Sequence, residues 1–229
     1  MKKLGQLLLL LSVLGLFGCA SQDVIVQDQN PYFRSPISLG EKPPELAIGS
    51  KYYFRKTNLI TDEQIEFILI VKNRIVWAGS TFVYLLEQSR ESGKGKEVLK
   101  EVDAYMLWDM NLNWVANLNK QGKVEASASP CKKLYDWPLK VGKTYNDGKV
   151  EQPDVIQIQE QVTVKTVAGA YRSFRIRRET ADAVETHYYS PDIGLEVRVD
   201  VSNKLNNPAG PGTFSYELVK FVSRGQDGK

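Results

Sequence analysis

From Leu46 onward the chain alternates apolar and polar residues with period two, and this pattern restricts it to half-buried β-strands. In Val155 to Thr166, Ile156, Ile158, Val162 and Val164 mark one face, and Gln157, Gln159, Gln161, Thr163 and Lys165 the other. Leu112, Trp114, Ala116 and Leu118 alternate with Asn111, Asn113, Asn117 and Asn119, which reads as a strand with an Asn-rich solvent face. Val197, Val199 and Val201 alternate with Glu196, Arg198 and Asp200. Phe214, Tyr216, Leu218 and Val222 share a face, with Lys220 as the exception. Ile65 to Val71 and Phe82 to Leu86 are apolar on both faces, as strands covered on both sides are.

Turn chemistry separates these runs. Lys72-Asn73-Arg74, Gly93-Lys94-Gly95, Gln121-Gly122, Asp147-Gly148, Ala168-Gly169 and Asp192-Ile193-Gly194 all fall between strand-like segments. Asp147-Gly148 carries the strongest hairpin signal, because both residues tolerate the positive φ of a tight primed turn. Asn206 to Gly212, with two prolines, is a loop. No helical stretch exceeds about two turns after the N-terminal segment. The expected fold is all-β and mainly antiparallel: a curled sheet, a sandwich or a partly open barrel. Leu46 to Tyr52 echoes Leu139 to Tyr145, and Tyr105 to Val115 echoes Tyr188 to Arg198, in the same order. Two related halves, 46–130 and 131–224, would explain this. Coincidence among strand-and-turn sequences explains it equally well, so 46–224 is read as one β domain.

The N-terminus has a different character. Lys2 and Lys3 precede an uncharged run from Leu4 to Gly18, the layout of a secretory signal and short for a membrane span. Ala20 to about Glu45 is polar, then interrupted by Pro31, Pro36, Pro43 and Pro44, and reads as an extended tether. Leu16-Phe17-Gly18-Cys19 resembles the lipobox of bacterial lipoproteins. That resemblance implies cleavage after residue 18, and a diacylglycerol on the sulfur of Cys19, whose new amino group is acylated. The implied organisation is signal 1–18, lipidated N-terminus and tether 19–45, and β domain 46–224. Ala20 lacks the Asp that retains lipoproteins at an inner membrane, so the resemblance implies the outer membrane where one exists. The other reading of the same residues is an ordinary cleaved signal with an incidental cysteine.

Removing Lys2 and Lys3 from 30 basic residues leaves 28 against 27 acidic ones. This near balance gives no electrostatic footprint for nucleic acid. With Cys19 lipidated, Cys131 has no intrachain partner, and a buried small hydrophobe is its expected role. The lone histidine, His187, lies on a strand without HExxH or CxxC spacing around it, and a structural role is expected. A Cys131–His187 pair is the remaining nucleophilic arrangement, and linear sequence does not place the two side chains together. Asp109-Met110-Asn111-Leu112-Asn113 begins like a calcium loop but has Trp114 where glycine is required and Lys120 where glutamate is expected. Gly93-Lys94-Gly95-Lys96 is too short for a phosphate cradle and reads as a hairpin tip. Arg172, Arg175, Arg177 and Arg178 form the densest basic cluster, a solvated strand face or a patch for anionic lipid or polymer. Aromatic residues, among them Trp108, Trp114 and Trp137, are expected mostly in the core, or lining a concavity if the sheet encloses one.

Residues 138–222 resemble the C-terminal part of poorly characterised bacterial envelope lipoproteins, through Pro138 to Tyr145, Val164 to Ile176, Tyr188 to Val197 and Tyr216 to Val219. In anchor and β-rich body the chain more loosely resembles lipoprotein and lipid carriers with a half-open barrel. Neither likeness brings catalytic residues. The expected role is therefore non-enzymatic, with no cofactor and no metal. Membrane attachment runs through Cys19, and the body binds or scaffolds an envelope protein or polymer. The alternative is a periplasmic carrier or chaperone for a lipid or other apolar ligand.

Overall fold

The computed structural model describes residues 41–78, 81–92, 99–149, 152–208 and 210–224. Cys19, the signal and most of the tether lie outside the described residues. Twelve strands follow one another: β1 (Lys51–Asn58), β2 (Gln64–Trp77), β3 (Thr81–Ser92), β4 (Leu99–Asp109), β5 (Trp114–Asn119), β6 (Val124–Lys132), β7 (Thr144–Asn146), β8 (Val155–Thr166), β9 (Gly169–Glu179), β10 (Ala183–Ser190), β11 (Leu195–Asn203) and β12 (Gly212–Val222). They form one sheet in the order β6-β5-β4-β3-β2-β1-β12-β11-β10-β9-β8-β7, and every ladder is antiparallel. Two meanders, β1–β6 and β7–β12, thus meet at the β1–β12 ladder, and among the described residues β6 and β7 are the two edges. The all-β antiparallel expectation holds. Among the forms expected, the result is a single open sheet, not a sandwich, and it is neither closed nor strongly curled.

The period-two pattern survives except where bulges shift it. In β12 the register steps from Tyr53↔Lys220 to Phe54↔Leu218, leaving Val219 as the extra residue. A bulge adds one residue and reverses which side chains face inward. Phe221, rather than Val222, therefore returns to the core, where it stacks on Tyr52 at 4.8 Å. Lys220 turns outward over the ring of Tyr53. Its break in the apolar pattern marks the bulge.

Apolar burial is continuous across the two meanders. Tyr52, Phe54, Val71, Tyr84 and Leu86 pack in one cluster with Ile156, Ile158, Phe174, Ile176, Tyr189, Leu195, Val197 and Leu218. On the other face of the first meander, Val83, Leu107, Val115, Ala116 and Leu118 form a second cluster. This is why Val83 to Leu86 is apolar on both faces, since Val83 and Tyr84 are consecutive and both buried in different clusters, whereas Phe82 is exposed and not covered.

Two expectations are corrected. Asp147-Gly148 does not make a two-residue hairpin, because β8 starts only at Val155. Asp147 is instead buried and clasps an eight-residue loop, accepting hydrogen bonds at Oδ1 from the backbone of Lys149 (3.2 Å) and Asp154 (3.1 Å). The Asn111–Asn119 alternation is not a solvent face. Asn113 is buried, and Leu112 sits at φ 64° in the turn before β5.

The residues just before β1 are docked on the sheet. Glu45 pairs with Arg74 at 3.2 Å, and the Leu46 amide donates to the Tyr84 hydroxyl at 3.2 Å. Gly194, in the β10–β11 turn, has φ 80°, and a side chain there would come within 2.9 Å of Leu46 and 3.3 Å of Pro44. Left-handed backbone costs an L-residue roughly 1–2 kcal/mol. Gly194→Ala is expected to lower unfolding free energy by about that amount or slightly more. Urea titration checks it, and an unchanged midpoint would contradict the packing described here.

Candidate functional site

The polar residues that the fold brings together lie around β10 and β11. Glu185, His187 and Tyr189 share one pleat of β10. Across from them β11 is bulged: Tyr188 pairs with Arg198 but Tyr189 with Glu196, so Val197 is the extra residue. The bulge carries Glu196 from the solvent side, where simple alternation puts it, onto the inner side beside His187. The segment between β6 and β7 crosses this point. Asn113 holds it, accepting from the amides of Leu134 and Tyr135 (both 2.8 Å) and donating to the carbonyl of Tyr135 at 3.2 Å. Tyr135 is then placed against Tyr189 (4.9 Å between rings) and Trp137, and its hydroxyl donates to Glu196 Oε1.

A continuous charged chain results. Lys149 Nζ bonds Asp154 at 3.1 Å, and Asp154 accepts from Arg178 Nε at 3.0 Å and also from its terminal nitrogen. Arg178 Nη1 reaches Glu185 Oε2 at 3.2 Å, and Glu185 Oε2 lies 3.1 Å from His187 Nε2. His187 Nδ1 lies 3.5 Å from Glu196 Oε1. Burial alone would push the imidazolium to lose its proton. Hydrogen bonds and charge from Glu185 and Glu196 outweigh burial and raise its pKa to about 9. Burial likewise opposes the Glu196 carboxylate, but His187 and Tyr135 hold it below the ordinary glutamate value.

Such a histidine is a clasp rather than a base. It keeps its proton at neutral pH, both ring nitrogens face carboxylates, and it is buried. Its folded pKa lies above the ordinary 6.5, so its stabilisation is complete below about pH 6.5 and is lost as pH rises through about 9. Glu196 contributes in the opposite sense, since its stabilisation is lost as pH falls. The urea midpoint is therefore expected to decline between about pH 6.5 and 9, and His187→Gln should flatten that decline. An equally steep decline in the variant would contradict the clasp.

Asp109 Oδ1 accepts from the amides of Asn111 and Asn113, both at 2.8 Å, so its carboxylate holds the β4–β5 turn. Among the described residues no group of three His, Cys, Asp or Glu side chains is arranged to hold a metal ion. Arg172 pairs with Asp192 (3.2 Å), Arg175 with Glu160 (2.9 Å) and Arg177 with Glu179 (2.8 Å), while Arg178 is buried on the face of Phe174 and Ile176. Each guanidinium thus has a carboxylate, which leaves the cluster little attraction for a polyanion. Gly93–Lys96 lies outside the described residues. Cys131 falls in β6, but its side chain is outside the described residues, so a Cys131–His187 pair stays an expectation.

Glu185, Glu196, Asp154 and Tyr135 were not singled out by sequence. Arg178, grouped in sequence with the solvated basic cluster, is corrected to a buried position, since it follows Phe174 and Ile176 at period two. Glu196 was not legible as inward, because its bulge leaves no mark in composition. Among the described residues, a surface cleft of about 210 Å³ is bordered by Gln161, Val162, Ser173, Phe174 and Pro191. Among the described residues no helix is long and apolar enough to cross a membrane.

No family model matches the chain, and no curated protein matches it. Solved structures are similar in part. One is a Bacteroides fragilis protein with a YmcC-like fold, classed as exported, at 13% identity over 81% of this chain and 100% of that one, TM-score 0.41. Another, classed as a lipoprotein of Parabacteroides distasonis, shares 10% identity over 80% of this chain and 99% of that one, TM-score 0.39. The third, from the Pseudomonas aeruginosa MucA/MucB complex, shares 8% identity over 78% of this chain and 53% of that one, TM-score 0.35. Similarity of this degree says nothing of what the chain binds.

Proposed function

We propose that this chain is an envelope lipoprotein, held to a membrane by lipid on Cys19, whose β domain binds or scaffolds an envelope partner without catalysis. The observation that carries the reading is the filled inner face of the sheet. Tyr135 and Leu139, from the segment between β6 and β7, are buried there, and Trp137 packs beside them. A carrier for an acyl chain needs an apolar hollow at that place. The 210 Å³ cleft at the surface is smaller than the roughly 300–1,000 Å³ of small-molecule sites. The sole histidine is engaged by two glutamates, which supports the absence of catalysis. Outer-membrane attachment follows from Ala20 after Cys19, by the sorting pattern the lipobox resemblance implies.

Two experiments test the proposal. Cys19→Ser is expected to abolish lipid labelling and release the protein from membranes; unchanged membrane association would place the anchor elsewhere. Crosslinking in native membranes should then trap a defined envelope partner with the anchored chain, and a chain that remains uncrosslinked would count against a scaffolding role.

A further inference from the structure

The two edges of the sheet are not alike. β6 is guarded: it contains Pro130, which has no N–H to offer, and its ladder with β5 shifts register twice. Proline and bulges are the devices by which sheets keep other strands from adding to an edge. β8 has neither protection beyond Gln159. β7 covers Val155, Ile156 and Gln157, and one further pair of bonds joins Ile158 to Gly142 and Lys143. On its other side β8 pairs with β9 all the way to Thr166↔Gly169. Among the described residues no strand lies against the outward edge of 159–166.

The register shows which groups are open. The amide of Ile158 donates to Lys143 and its carbonyl accepts from Gly142, so both point away from β9. Gln159 is the extra residue of a bulge, after which Glu160 pairs with Arg175. Alternation then turns Glu160, Val162 and Val164 toward β9, and Gln161, Thr163 and Lys165 outward. All three outward residues are exposed. Each presents an N–H and a C=O in the geometry that an added strand satisfies. Beside them lies the cleft bordered by Val162, Phe174 and Pro191, sized for one side chain of such a strand. Neighbouring charges are already matched, Glu160 by Arg175 and Arg172 by Asp192. Lys165 is exposed, with no ion pair to a described carboxylate.

We propose that the outward edge of β8, from Gln161 to Lys165, is a docking site for an extended peptide segment of a partner protein. The segment is proline-free at its pairing positions, places an apolar side chain in the Phe174 cleft and sets an acidic residue against Lys165. Main-chain bonds supply affinity, while cleft and charge supply selectivity. The inference rests on the binding role proposed above and gives it a location.

The test uses the detergent-solubilised full chain and a library of random nine-residue peptides displayed on phage. Enriched peptides should combine an apolar and an acidic residue without central proline, and should protect the amides of Gln161, Thr163 and Lys165 from hydrogen exchange. Thr163→Pro removes one outward N–H and leaves the β9 ladder intact, and should weaken these peptides at least tenfold. Thr163→Val, which keeps the N–H, should not. If Thr163→Pro fails to fold, the exchange pattern of the unsubstituted chain decides. No enrichment, equal binding to a folded Thr163→Pro, or protection of the three amides before peptide is added would overturn the proposal. Peptides that protect another surface would overturn this location while leaving the binding role standing. A partner still crosslinked to Thr163→Pro in native membranes would do the same.

Discussion

Arg178→Met is expected to cost the fold about 3–5 kcal/mol, the usual effect of removing one member of a buried ion pair. Arg178 and Asp154 are both buried, and Arg178 also bonds Glu185, which in turn faces His187. Methionine fills much of the same space, so the loss reflects buried carboxylates that lose the cation they share, Asp154 keeping only Lys149 and Glu185 only His187, rather than a hole. Neutralising Asp154 should then recover part of the loss, because a buried carboxylate that has lost its closest cation is what costs most. Urea unfolding of Arg178→Met and of Arg178→Met/Asp154→Asn checks both steps. A single-variant loss under about 1 kcal/mol would place the guanidinium in the surface class of ion pairs.

Tyr135→Ala should be comparably severe, at about 3–5 kcal/mol for truncating a buried aromatic ring. The ring packs against both Tyr189 and Trp137, which also touch each other, and pins the β6–β7 crossing to the sheet. Tyr135→Phe separates packing from hydrogen bonding. It keeps the ring and removes the donor to Glu196, for an expected loss of about 1.5–3 kcal/mol, as for hydrogen bonds to charged groups. If Tyr135→Phe cost as much as Tyr135→Ala, the ring would be contributing nothing and the crossing would be held elsewhere.

The strands were legible because burial imposes period two on residues such as Ile156 and Ile158 or Val197 and Val199. Their order was not. Nothing in the local pattern states that β1 pairs with β12, or that β6 and β7 end at opposite edges. Bulges were the main source of misreading. One leaves Lys220 as an exception, and another turns Glu196 inward against its apparent phase. Asp147-Gly148 failed as a hairpin because its carboxylate is committed to Asp154 and Lys149 across a longer loop. At the site, His187 was visible as the only histidine, and a structural role was the expectation. The two glutamates that fix its proton belong to strand positions whose inward direction depends on tertiary pairing. The open β8 edge could not be read at all from sequence, since it depends on how little of β8 the three-residue β7 covers.

The central claim is that this chain is fixed to a membrane by its own lipid and carries no lipid inside. Native mass spectrometry of the protein isolated from its own membranes tests both halves together. The predicted species begins at Cys19, bears a diacylglycerol and an N-acyl group covalently, and holds no further lipid. A chain without covalent lipid, or one that retains a dissociable lipid through detergent exchange, would contradict the account.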